Sequence, residues 1–136
     1  MRPVAREFGF AVLAWLIPFI LSVCLFPLKQ AIPPLFESLI GVILALNTGV
    51  LGCLYLRGIE SHVVSQSVKI GLIWMLANWA FDGLMFSNGP MKMSLSQYAM
   101  GIGIGYLMIP MITIALGVAN RNGSARVSPQ PAARGR

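Results

Sequence analysis

Four apolar runs, each about 20 residues long, occupy most of this 136-residue chain. A helix of that length rises about 1.5 Å per residue and crosses the hydrocarbon core of a bilayer, which is about 30 Å thick. The sequence therefore predicts an all-α polytopic membrane protein, with a four-helix transmembrane domain over residues 1–119. The predicted spans are roughly 8–28, 35–56, 68–86 and 98–119.

The composition agrees with a chain that uses lipid as its solvent. Hydrophobic residues make up 57% of the sequence and charged residues 10%, whereas soluble domains carry about 25% charged residues. The mean hydropathy is +0.77. So few charged side chains cannot cover an ordinary core with polar surface. The bundle uses nearly all of the residues, which leaves no room for a soluble catalytic domain.

The basic residues lie mostly on one side of the predicted spans. Two, Lys29 and Lys92, fall in the first and third connections. The other eight fall on the opposite side: Arg2, Arg6, Arg57, Lys69, Arg121, Arg126, Arg134 and Arg136. Lys and Arg accumulate in cytoplasmic segments, so both termini are expected in the cytoplasm.

The tail from 120 to 136 is rich in Pro, Ala, Gly, Ser and Arg, a composition that predicts disorder. Beside four apolar spans, its arginines favour anionic lipid headgroups or a role in topology rather than a nucleic-acid partner. The lipid bilayer is therefore the first expected partner.

Small residues spaced four apart mark candidate packing faces in the second and fourth spans. Gly41, Ala45 and Gly49 form one stripe, and Gly101 and Gly105 form another. Such stripes let helix backbones approach closely, which drives association in membranes. Two alternatives remain open from sequence: packing within the chain, or a seam with a second copy or another membrane protein.

A single acid, Asp82, lies within a predicted span, and an ionisable group at that depth is a candidate functional residue. Asn78 lies one turn earlier on the same helix face, Asn47 lies near the middle of the second span, and Tyr98 opens the fourth at the depth of Asp82. One hypothesis makes Asp82 a structural lock that bonds to Tyr98 or pairs with a lysine, Lys29 or Lys92. The other makes it a proton-exchanging group served by Asn78 and Asn47.

Residues that carry catalysis or bind metals do not form a recognisable set in the sequence. There is one histidine, His62, and four acidic residues, without the spacing of a nucleophile–base pair, a carboxylate pair or a metal site. The expectation is a protein that is not an enzyme and that binds neither a metal nor a cofactor.

The second half of the chain carries a pattern of its own. It reads Gly71-x2-Trp74-x3-Asn78-x3-Asp82, then Ser94-x3-Tyr98, then Gly105-Tyr106-Leu107-x2-Pro110. This pattern resembles a group of small, uncharacterised bacterial inner-membrane proteins with four helices. The resemblance implies a multi-pass protein of the bacterial inner membrane and carries no activity with it. Small four-helix multidrug exporters are less similar, because they place an essential glutamate inside the first helix, whereas Glu7 lies at its edge here.

Two functions follow as competing hypotheses. The first is a structural or accessory membrane protein that acts through helix–helix contacts, in which an amide could replace the Asp82 carboxylate. The second is a small proton-coupled transporter or permeation pathway that requires Asp82 itself.

Overall fold

The structure, a computed structural model, describes residues 3–59, 61–87 and 94–127. Of these residues 92% are helical, and no strand occurs among them. Four long helices are α1 (Pro3–Cys24), α3 (Pro33–Leu56), α4 (Val63–Ser87) and α6 (Met108–Val127). Shorter elements are α2 (Phe26–Ala31), α5 (Leu95–Tyr98), a π-helical turn (Ala99–Gly103) and a 3₁₀ turn (Gly105–Leu107).

Three helical segments are long and apolar enough to cross a membrane: Val4–Cys24, Pro33–Leu56 and Ala99–Arg121. The all-α fold and the membrane-protein character expected from sequence are confirmed at that level. Helix α4 is not among the three, although it has 25 residues. It is the helix that carries Lys69, Asn78 and Asp82.

Several polar side chains are buried within the bundle, and many large apolar side chains face outward. Thr48, Asn78 and Asp82 are buried, whereas Leu46 and Val50 on α3 are exposed. Lipid cannot hydrogen-bond to a polar group, so a membrane bundle gains from this arrangement.

The four long helices form a ring in the order α1, α3, α6, α4. Helix α4 packs most extensively on α6, while α1 contacts both α3 and α4. Helix α3 also packs on α6, and it touches α4 across the ring only lightly. Buried residues of all four helices meet in the centre, among them Ala14, Leu51, Trp74 and Ile109.

Two glycines allow α4 and α6 to approach closely. A Cβ at Gly71 would lie 2.8 Å from the Pro110 Cα atom, and one at Gly117 would lie 2.7 Å from the Ser67 Cβ atom. Any larger residue there would collide with the neighbouring helix.

The predicted stripes do not provide close contacts of this kind. A Cβ at Gly41, Gly49, Gly101 or Gly105 would meet no atom within 4 Å. Within the chain, the expectation that these glycines bring helices together is therefore wrong. Helix α3 buries Leu44, Thr48 and Leu51 instead, so the stripe formed by Gly41, Ala45 and Gly49 is only half-buried.

The element boundaries differ from the predicted spans at both ends of the chain. The first span is two helices that break at Leu25, and α1 begins at Pro3 rather than near residue 8. At the other end, α6 continues to Val127, so residues 120–127 are helical where a disordered tail was predicted. Residues 128–136 lie outside the described part of the chain.

The fourth predicted span is irregular over its first half. Proline has no backbone N–H, so Pro110 cannot donate to the carbonyl of Tyr106 as an α-helix requires. The 3₁₀ and π turns lie just before this position. The glycines at 101, 103 and 105 lie in these two turns, and they have little preference for a regular helix.

We expect Gly71→Ala to lower the stability of the bundle by about 1–3 kcal/mol, the usual cost of overpacking. The added methyl group would strike the backbone of Pro110. Gly49→Ala is the matched control, because its methyl group would enter open space. Unfolding of both variants in detergent, followed by circular dichroism, checks this; equal stabilities would contradict the close approach.

Candidate functional site

The Asp82 carboxylate accepts hydrogen bonds from three aromatic side chains. Trp15 Nε1 donates to Oδ1 at 2.7 Å, and the Tyr106 hydroxyl donates to Oδ2 at 2.6 Å. The Tyr98 hydroxyl also donates to Oδ2, at 3.2 Å. Asp82 is 5% exposed. Both carboxylate oxygens are therefore occupied by donors from other segments of the chain.

Aromatic packing positions the first donor. The Trp15 ring stacks on Phe19 at 4.7 Å between centroids and contacts Phe81 of α4 at 5.0 Å. The indole is thus held between its own helix and α4, with its N–H directed at Asp82. This contact joins α1 to α4 near the end of the bundle opposite the chain's N-terminal residues.

The irregular segment positions the other two donors. In a regular α-helix, residues eight apart lie about 12 Å apart along the axis and point about 80° away from each other. Tyr98 and Tyr106 nevertheless reach the same oxygen of Asp82. The π and 3₁₀ turns between them alter the helical register that would keep them apart. Trp79 of α4 donates to the Gly103 carbonyl at 3.3 Å, which ties the π turn to α4 as well.

Within the described residues Asp82 has no cationic partner. Lys69 forms the ion pair found there, with Glu7 at 2.7 Å. Lys29 lies over the Phe36 ring at 5.9 Å, so the predicted pairing of Asp82 with Lys29 is wrong. Lys92, the other predicted partner, lies outside the described residues. Three neutral donors thus take the place of a counter-ion.

Asn78 and Asn47 do not join this group. The Asn78 amide donates to the Trp74 carbonyl of its own helix at 2.8 Å. The Asn47 amide donates to the Ala14 carbonyl at 3.1 Å and so links α3 to α1. Of the three companions predicted for Asp82, the structure brings only Tyr98 to it.

A second polar cluster closes the opposite end of the bundle, and sequence analysis did not predict it. Arg6 donates to the Tyr55 carbonyl at 2.5 Å and lies 4.7 Å from the Tyr55 ring. Glu7 accepts from Lys69 at 2.7 Å and from the Tyr55 hydroxyl at 3.4 Å. The Arg6 guanidinium lies at the carboxyl end of α3, where a positive charge interacts favourably with the helix dipole. Lys69 lies in α4, and its ion pair with Glu7 joins that helix to α1.

The arrangement around Asp82 can clamp helices together, and a carboxyl group can in principle carry a proton. No group of three or more His, Cys, Asp or Glu side chains in the described ranges could hold a metal ion. The two cysteines, Cys24 and Cys53, are free and exposed. The arrangement around Asp82 is thus a hydrogen-bonding centre that joins several segments of the chain.

Comparison with known proteins found no matching family model, no matching curated protein and no matching solved structure. The resemblance to small bacterial four-helix membrane proteins therefore stays a prediction.

Trp15 and Tyr106 are the functional residues that sequence reasoning missed. An indole N–H inside an apolar helix needs an acceptor. The signal for Trp15 was the presence of one intramembrane acid and a tryptophan inside another span.

We expect Tyr106→Phe to cost about 1.5 kcal/mol of stability. That value is near the upper end for interhelical hydrogen bonds in membranes, because the acceptor is a carboxylate and the bond is short. Tyr55→Phe is the matched control, because it removes a hydroxyl whose bond to Glu7 is 3.4 Å long. Its cost should stay near about 0.5 kcal/mol. Equal losses in detergent unfolding would contradict the special position of Tyr106.

Proposed function

We propose that this chain is a structural or accessory protein of a cell membrane, which acts through contacts between helices. In this proposal α4 is the fourth membrane span, and the four long helices together form the transmembrane bundle. The protein is not an enzyme and uses no cofactor. Its Asp82 is a lock that keeps α1, α4 and the irregular segment before α6 in one fixed arrangement.

The observation that carries this proposal is the set of three donors that the described residues place around Asp82. A group that takes up and releases protons during transport must alternate between exposed states. Asp82 instead accepts hydrogen bonds on both carboxylate oxygens, from three side chains in all, and it is only 5% exposed. This is the environment of a closed bundle.

Partners would bind at the small-residue faces that the chain leaves uncovered. Gly41 and Gly49 on α3, with Gly101 and Gly105 in the π and 3₁₀ turns, have open space where a Cβ would lie. In lipid, close approach of small residues supports helix association without a hydrophobic driving force. A second copy of the chain or another membrane protein would meet these faces.

The proposed setting is a bacterial inner membrane with both termini in the cytoplasm. Arg6 bonds to the Tyr55 carbonyl, Glu7 pairs with Lys69, and a Cβ at Gly117 would contact Ser67. These contacts support a bundle in which the start of α1, the end of α3, the start of α4 and the C-terminal half of α6 lie at one end. Arg6, Arg57, Lys69 and Arg121 lie near that end. Cytoplasmic basic residues orient membrane proteins, and a reporter fused after Arg136 measures on which side this end lies.

We expect Asp82→Asn to keep the fold and any partner contact. The amide oxygen can accept from Trp15, and the amide nitrogen can donate to the Tyr98 and Tyr106 hydroxyls, so each contact survives with some of its donors reversed. Asp82→Leu should cost about 2–4 kcal/mol, because it leaves buried donors without an acceptor. Thermal unfolding in detergent compares the two variants with the wild type.

The Asp82→Asn variant also tests the alternative hypothesis of proton transport. Purified protein in vesicles that contain a pH-sensitive dye, with an imposed pH gradient, should give no proton flux above protein-free vesicles. A wild-type flux that disappears in a folded Asp82→Asn protein would overturn the lock and establish Asp82 as a proton carrier.

We expect Gly49→Leu to reduce association between copies of the chain while the bundle itself stays folded. The leucine would occupy the open side of α3 and block close approach of a partner helix. Gly9→Leu is the matched control, because Gly9 also has open space beside it and lies on α1, outside both stripes. Energy transfer between labelled copies in liposomes measures association; transfer that is equal in all three proteins would show that copies do not meet through this face.

A further inference from the structure

Two side chains place polar atoms in the centre of the bundle without a partner from the described protein. They are the Thr48 hydroxyl on α3 and the Trp74 indole N–H on α4. Both residues are 0% exposed. A buried polar group without a hydrogen bond costs about 1–3 kcal/mol, so each of these atoms requires an explanation.

The glycine contacts indicate that the two residues lie at similar levels along the bundle. Gly52 of α3 and Gly71 of α4 both face Thr113 of α6. Thr48 lies one turn from Gly52, and Trp74 lies nearly one turn from Gly71. Because α3 and α4 are antiparallel, both steps lead away from the loop that joins them, by about 6 Å and about 4.5 Å. Each residue shares the inward face of its glycine.

The chemistry of the two groups is complementary for a bridging molecule. An indole N–H can only donate, whereas a hydroxyl can donate once and accept twice. One water molecule could accept from Trp74 and donate to Thr48. The Asn78 amide donates to the Trp74 carbonyl of its own helix and does not satisfy either atom. A buried water makes two to four such bonds.

We propose that Thr48 and Trp74 form a binding site for a structural water molecule at the centre of the bundle. This site is distinct from Asp82 and does not depend on the function proposed for that residue. It explains why a threonine occupies a fully buried position in a hydrocarbon environment.

Nuclear magnetic resonance of the full-length chain in deuterated detergent tests the site directly. The Trp74 indole proton should show a dipolar cross-peak to water in the rotating frame, where its sign distinguishes contact from proton exchange. The Trp15 indole, which bonds to Asp82, is the matched control and should show none. Each signal is assigned from the corresponding Trp→Phe variant.

A stability measurement supplies a second, independent readout. Thr48→Val keeps the shape of the side chain and removes its hydroxyl. If water bridges the pair, the variant should unfold about 3 °C lower, and its effect should be non-additive with that of Trp74→Phe. If the site is dry, Thr48→Val removes an unpaired hydroxyl and should raise the unfolding temperature. That rise, or the lack of a cross-peak to Trp74, would overturn the proposal.

Discussion

A carboxylate buried among hydrocarbon must obtain its hydrogen bonds from the protein, and in this chain that requirement organises the bundle. Asp82 accepts hydrogen bonds from a tryptophan of α1 and from two tyrosines of the segment that precedes α6. None of the donors carries a charge. In lipid, where apolar surfaces are equally well solvated inside and outside the bundle, such bonds and close packing are the main sources of specificity. The carboxylate thus determines which helix faces which more precisely than the surrounding leucines can.

The close approach of α4 and α6 provides the second constraint. Gly71 and Gly117 lie against Pro110 and Ser67 without room for a Cβ. This contact and the hydrogen bonds of Tyr98 and Tyr106 to Asp82 hold the two halves of the second hairpin together. The bond from Trp15 to Asp82 and the ion pair of Glu7 with Lys69 attach α1 to α4.

Sequence patterns predicted the helical class and three membrane-capable segments, because hydrophobic runs reflect the thickness of a bilayer directly. They also gave the bond from Tyr98 to Asp82 as one of the alternatives, since both residues flank one connection. The contact of Tyr106 with Asp82 was not predicted, because a proline and three glycines indicate an irregular helix without fixing the direction of each side chain. The glycine stripes were ambiguous for a related reason: spacing shows that residues share a face, but it does not show what that face meets. Which glycines make close contacts depends on the rotation of each helix, and buried residues elsewhere in the bundle set that rotation.

The long separation between bonded residues has a consequence for biosynthesis. Trp15 bonds to a residue 67 positions later, and Glu7 to one 62 positions later. Helix α1 therefore leaves the ribosome well before either of its polar partners exists. During that interval the nascent helix exposes an unpaired acid and an indole N–H to lipid or to the insertion machinery. The indole and the acid of α1 gain the partners Asp82 and Lys69 only when α4 has been synthesised.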